Sequence, residues 1–305
     1  MTSAIAVEIT VGRLGLAVTC AVVAALSYAL SNVLQQHEAE QIAEKETLKL
    51  GFLAQLAHRP RWLFGMGADV GGYVFEALAL GSGTLVIVEP ILATSLLLSL
   101  FLGATINRRH VDRAGWTAAV VLAIGVSLFL FVVAPTRGAE LAPTHTWLIA
   151  APPIIGFVLL CVAAAGAASG SRRAALLGLG AGTLFGTSAV LTKAFVHYLG
   201  GGVFNWIPHW EPYALAVSSI TGLVLAQSAF QTGALAAAVG AEQVMQPLTG
   251  VALGVGLLDE RLGISGSVAA LLLIAALMAM VWGVLSLARF EQPGALSPPP
   301  ALADG

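Results

Sequence analysis

The chain has 305 residues, of which 58% are hydrophobic and only 10% charged, and its mean hydropathy is +0.89. A soluble domain of this length needs far more charge to cover its surface, so the composition points to an integral membrane protein. The net charge is −2 and no basic run is present, so the lipid bilayer is the expected partner and nucleic acid is not.

A bilayer core of about 30 Å needs roughly 20 helical residues. The first apolar run, Leu14 to Leu34, is too long for a signal-peptide core and lacks a small-x-small cleavage site. It reads as a span that follows an extracytoplasmic N-terminus, residues 1–13. Nine segments reach spanning length: 14–35, 62–81, 84–103, 116–134, 147–168, 175–197, 213–233, 236–258 and 267–288. Trp62, Trp116 and Trp147 open three of them, as interface anchors do. Between the first two spans, residues 36–61 begin charged and then place Leu48, Phe52, Leu53 and Leu56 on one helical face. That stretch predicts a helix lying on the cytoplasmic membrane surface, with a loop packed on the bundle as the alternative. Cys20 and Cys161 fall inside apolar runs and read as small buried hydrophobes. The Pro-rich tail, 289–305, reads as disordered.

Lys and Arg set the orientation. Ten of the fourteen lie in loops on one side, three on the other, and Lys193 lies within a span. Positive residues stay inside, which places the N-terminus outside and the C-terminus in the cytoplasm of a multi-pass cell-membrane protein.

The chain also resembles itself. Pro90 and Pro247 are 157 residues apart, and at that offset "YVFEALALGSGTLVIVEP" (73–90) lies over "FQTGALAAAVGAEQVMQP" (230–247) without a gap. The same offset lays "SNVLQQ" (31–36) over "SAVLTK" (188–193). The expected architecture is all-α: two inverted four-helix repeats, 14–134 and 175–288, joined by a linking helix at 147–168. Inverted repeats are a transporter architecture with the substrate site near the membrane midplane.

The four-helix half with its Pro-centred third helix resembles the drug/metabolite transporter superfamily. "ALSYALSNVLQQHEA" followed by "RPRWLFGMGADVGGYVFEALALGSGTLVIVEP" most resembles its nine-helix, NIPA-like magnesium transporter branch, with Asp69 at the acidic position of the second helix. "LLDERL" (257–262) is similar to the Gly-Glu-Arg helix end of EamA-type domains, with Asp259 in place of the glycine, while "LGATINRR" in the first half departs further. The first-helix glutamate of small multidrug resistance proteins has no counterpart here, where Ser27, Tyr28, Ser31 and Asn32 occupy that helix. The resemblance implies alternating-access transport of Mg²⁺ or another divalent cation.

Three carboxylates fall within spans of the first half: Asp69, Glu76 and Glu89. A charge at mid-bilayer costs about 2.5–3.5 kcal/mol, so each needs water, a partner or a proton. Asp69 and Glu76 share a helix face with Tyr73 between them, and the neighbouring Gly65, Gly67, Gly71 and Gly72 would admit close packing and a polar crevice. Such carboxylates suit a hydrated Mg²⁺, with Asp69 and Glu89 as its ligands, or a proton loaded and released during transport. Lys193 reads either as a counter-ion to Glu76 or Glu89 that closes the outer gate or as a side chain that snorkels to the interface. Gln227, Gln231 and Gln246 are expected to line the second half's side of a cavity, with Gln243, whereas Glu242 reads as solvated at the cytoplasmic end. Pro90 and Pro247 each break one helical hydrogen bond and mark a gating break.

The expected function is secondary transport of Mg²⁺ or of a small polar metabolite coupled to protons, with a homodimer left open. A helper subunit of lipid or glycan export is a third class, against which the intramembrane carboxylates argue. No nucleophile–base pair, aspartate pair or metal-spaced histidines fall at membrane depth, so neither an enzyme nor a cofactor is expected.

Overall fold

The computed structural model describes residues 2–42, 48, 50–82, 88, 91–106, 112–133, 139, 141–202, 204–260, 262 and 266–290. The described residues form ten helices and no strand: α1 (Thr2–Ala39), α2 (Leu50–Ala57), α3 (Pro60–Ser82), α4 (Ser95–Ile106), α5 (Arg113–Val133), α6 (Thr144–Gly166), α7 (Gly170–Gly200), α8 (Glu211–Phe230), α9 (Leu235–Leu258) and α10 (Gly266–Phe290). The fold is that of a polytopic helical membrane protein.

Nine spans are expected from the sequence, and six described segments are both long and apolar enough to cross a bilayer: Leu14–Ala39, Arg113–Val133, Thr144–Gly166, Gly170–Gly200, Glu211–Phe230 and Gly266–Leu287. Helices α3 and α9, of 23 and 24 residues, have the length but are diluted by the polar residues discussed below. Of the third expected span, 84–103, residues 88 and 91–103 are described, and 91–103 fall in the apolar segment Ile91–Ile106. α1 begins at Thr2, so the helix continues through the residues assigned to the N-terminal segment.

Glycine sets the helix spacing. Gly178, Gly182 and Gly186 repeat every four residues along α7 and lie against the backbone of α9, where a Cβ on Gly182 would stand 2.6 Å from the Glu242 carbonyl oxygen. Without a hydrophobic drive between helices in lipid, such small-residue stripes let backbones meet and dispersion forces act. Gly125 of α5 and Gly283 of α10 do the same at the α5–α10 contact. α1 packs chiefly on α3 and then α4, and α7 packs chiefly on α9 and α8. α6 is peripheral, with α7 as its main neighbour.

Two expectations are corrected. α2 does not lie on the membrane surface with its apolar face in lipid: Phe52 and Leu56 are fully buried in the main apolar core. The bundle, not the bilayer, covers that face. The chain before α2 is clasped to the second half as well, since Gln36 Nε2 donates to the Gly233 carbonyl at 2.9 Å and Gln231 Nε2 to the Ile42 carbonyl at 2.7 Å. The 157-residue register also fails over the second helix of each half. It lays Tyr73, in the middle of α3, over Phe230, the last residue of α8, whereas α3 itself runs on to Ser82.

At the opposite end, the Ala139 N–H donates to the Leu258 carbonyl at 2.7 Å, and Trp147, Leu191, Leu257 and Leu258 form a separate apolar cluster. Asp259 caps α9 with φ of 53°, the left-handed conformation in which glycine is most at ease, and its N–H returns to the Gly254 carbonyl.

Thermal unfolding in detergent tests this packing. Gly182→Ala is expected to cost about 1–3 kcal/mol through overpacking. Gly67→Ala, where a Cβ meets only open space, is expected to be neutral or to stabilise by up to about 1 kcal/mol. Asp259→Gly should be tolerated, while Asp259→Val should cost about 1–2 kcal/mol for its left-handed backbone.

Candidate functional site

One stripe of α3 organises the polar centre. Trp62, Gly65, Asp69, Gly72, Glu76 and Ala79 are spaced alternately three and four apart, which puts them on one helical face, and that face packs on α1. Two of the four nearby glycines make the approach. A Cβ on Gly65 would meet Gln35 at 3.0 Å, and one on Gly72 would meet the Tyr28 ring at 2.8 Å, while Gly67 and Gly71 have open space beside them. The α1 residues thus brought opposite, Tyr28, Ser31 and Gln35, repeat the same three-four spacing.

Each acid on the stripe gains a hydroxyl partner. Tyr28 Oη donates to Glu76 Oε2 at 2.5 Å, and Ser31 Oγ lies 3.4 Å from Asp69 Oδ1. Tyr73 sits on the flank, 62% exposed, and does not stand between the two acids in the interior as expected.

A chain of hydrogen bonds leads from Ser31 to the second half. Gln35 Nε2 donates to Ser31 Oγ at 2.6 Å, Gln227 Nε2 donates to Gln35 Oε1, and Trp62 Nε1 donates to Gln227 Oε1 at 3.1 Å. Gln227 is fully buried. It crosslinks α8 to α1 and α3, a different task from lining a cavity. A second polar strand runs beside the first, with Asn32 Nδ2 donating to Ser99 Oγ at 3.2 Å and Gln243 Nε2 to Ser95 Oγ at 2.9 Å.

Glu242 completes the centre. It is not solvated at a helix end: it is part-buried in the second turn of α9, close enough to Asp69 for the two carboxylates to interact electrostatically. At that end of the bundle Gln36 and Ile42 bond to Gly233 and Gln231, and α2 packs Phe52 and Leu56 into the apolar core. Asp69 and Glu76 likewise feel one another. No ion pair reaches Asp69, Glu76 or Glu242 among the described residues. The interior therefore holds three carboxylates from both parts of the chain, a hydroxyl on two of them and, among the described residues, no paired cation.

The remaining expected residues lie elsewhere. Lys193 does not pair with Glu76; its Nζ pairs with Oε1 of Glu260, a nearly buried carboxylate just after the α9 cap, and this clasp ties α7 to the end of α9. Gln231 holds the segment after α1, as described above. The Gln246 side chain is exposed, and its backbone takes the close approach of Gly186. Pro247 stands inside α9, which continues on both sides of it. Glu89 and Pro90 lie outside the described residues. Among the described residues, no three His, Cys, Asp or Glu side chains converge as a metal cage.

Five contributors were missed as site residues: Tyr28, Ser31, Gln35, Trp62 and Glu242. Tyr28 and Gln35 carried a legible signal, since they bracket Ser31 at the spacing that Asp69, Gly72 and Glu76 use on α3. Glu242 carried none beyond being a carboxylate near a predicted helix end.

No family model matches the chain, and no solved structure matches it significantly. It is similar to an uncharacterized protein of Corynebacterium glutamicum, 29% identical over 250 residues that cover 81% of this chain and 86% of the relative.

Proposed function

We propose that this chain is a secondary transporter of the drug/metabolite type, in which two inverted halves rock around a polar site at Asp69 and Glu242. The observation that carries the reading is the set of three carboxylates inside a membrane bundle, drawn from α3 and α9, that no cation pairs with among the described residues. At about 2.5–3.5 kcal/mol apiece, such charges are too costly for packing alone and mark a pathway for a cation or proton.

The packing supports the two-half reading. α1 closes on α3 and α4 as α7 closes on α8 and α9, and the fourth helices, α5 and α10, meet each other. Ser31 faces Asp69 across the first pair of helices, and Ser188 faces Ser218 at 3.0 Å across the second. Ser188 is the residue 157 positions after Ser31, so the polar position recurs with the acid replaced by a hydroxyl.

The cargo is a small cation or cationic solute. A hydrated Mg²⁺ held by one or two carboxylates fits, because this ion keeps several waters and needs no all-protein cage. The second reading, proton-coupled movement of a polar metabolite, is favoured by the Tyr28–Glu76 bond, which offers a hydroxyl at the carboxylate that would exchange the proton.

Flux into liposomes containing the purified protein tests the assignment, with Mg²⁺, other divalents and organic cations, each with and without a pH gradient. Asp69→Asn and Glu242→Gln are each expected to lower flux by about tenfold or more, the equivalent of about 1.4 kcal/mol. Thr105→Val, at an exposed position that bonds only its own helix, should leave flux unchanged. Normal flux in Asp69→Asn ends the assignment. The topology has its own test: cysteines at Arg109 and Asp259 should label from opposite membrane faces, and labelling from one face contradicts the inversion.

A further inference from the structure

The hydrogen-bond chain that ends on Asp69 begins at a contact between the two halves, and its direction is fixed. The indole N–H of Trp62 can only donate. Gln227 must therefore present its oxygen to Trp62 and its amide nitrogen to Gln35. Gln35 must in turn donate to Ser31, which leaves the Ser31 hydroxyl proton free for Asp69 Oδ1. Neither amide can flip without leaving a buried donor facing a donor, which costs about 1–3 kcal/mol for each group left unpaired.

The chain covers two turns of α3, from Trp62 near the helix start to Asp69 near its middle, roughly 10 Å at 1.5 Å per residue. Its first three members lie at the end of the bundle where Gln36, Gly233, Gln231 and Ile42 also bind the halves together. The final link, from Ser31 to Asp69, is the longest of the four. The groups facing Asp69 are Tyr28 from α1, Glu76 from α3 and Glu242 from α9, and none of them is basic. From α8 comes only Gln227, which does not titrate. Nothing but Ser31 therefore offers Asp69 a hydrogen bond among the described residues.

The geometry points to Gln227, Gln35 and Ser31 as positioning residues that couple the state of Asp69 to closure of this end of the bundle. An ionised Asp69 accepts from Ser31 and holds the whole chain in register, so Gln227 staples α8 to α1 and α3. When a proton or cationic cargo takes up the carboxylate, its charge is neutralised and the Ser31 bond loses its charge assistance. This last and longest link then weakens, the chain is held less firmly in register, and the end opens more readily. By linkage, opening of this end changes the affinity of Asp69 for what it binds. The inference rests on the reading of Asp69 as the carboxylate that takes up cargo.

The test uses the full chain in lipid nanodiscs with Cys20→Ala and Cys161→Ala, and one reporter, Ala234→Cys, at a position fully buried in the clasped end. The readout is the rate of labelling by a membrane-impermeant maleimide at one pH. Asp69→Asn, which keeps an acceptor oxygen but removes its charge, is expected to speed labelling about threefold, and Gln227→Leu about tenfold, the scale of one lost buried hydrogen bond with its partner unsatisfied. The double variant should label no faster than the faster single variant, because both cut one chain. Should Gln227→Leu fail to fold, Trp62→Phe, which removes only the N–H anchor, takes its place with an expected rise of about threefold. An unchanged rate in Asp69→Asn, or effects that multiply in the double variant, overturns the coupling. The readout needs no cargo: flux with multiplying effects removes the relay and keeps transport, whereas non-additive effects without flux keep the relay and remove transport.

Discussion

The close approach of α1 to α3 at Gly65 and Gly72 is the constraint on which the site depends. Lipid offers no hydrogen bonds, so a polar side chain in a span must find its partner in the protein. Side chains at those two positions would push α1 away and leave Asp69 and Glu76 facing an apolar gap. With glycine there, Tyr28 and Ser31 reach both acids, and Gln35 carries the network on to α8. The Gly178, Gly182 and Gly186 stripe does the equivalent for α7 and α9, and brings Glu242 into the same interior.

Charge is divided sharply between the ends and the middle. At one end Arg59 pairs with Glu38 at 2.9 Å, and at the other Lys193 pairs with Glu260. These pairs satisfy their own carboxylates and leave no cation for the interior among the described residues. A carboxylate that lacks a fixed counter-ion is one that can take a mobile one. On the proposed reading the ends act as clasps and the middle as a place for exchange, the division of labour that alternating access requires.

Much of this was legible in the chain. Apolar runs of spanning length located α3 and α5 to α10 to within about five residues but missed the start of α1 by twelve, and the two cysteines are buried and free, as their apolar surroundings implied. Asp69 and Glu76 were identifiable because a carboxylate in a span is costly wherever it points. What could not be read were contacts between distant segments. The apolar face of α2 was visible, but amphipathicity does not reveal whether lipid or protein will cover it, and Phe52 and Leu56 turned to protein. Glu242 looked solvated because the pairing of Gln36 and Ile42 with Gly233 and Gln231 at that end of the bundle is long-range. Lys193 found Glu260, 67 residues away, through the α7–α9 packing that no local pattern encodes. The uniform repeat offset failed over α3 because that helix runs nine residues past the position laid over the last residue of α8. Asp259 was noted as a departure from glycine, and its left-handed backbone explains why glycine would suit the position.

Paired distance measurements between the halves test the central claim most directly. Spin labels at Ala57 and Thr232 report on one end of the bundle, and labels at Ser82 and Asp259 on the other. Alternating access requires the two distances to change in opposite directions when Asp69→Asn is introduced: the first pair lengthens and the second shortens. Distances that stay fixed, or that lengthen together, contradict it.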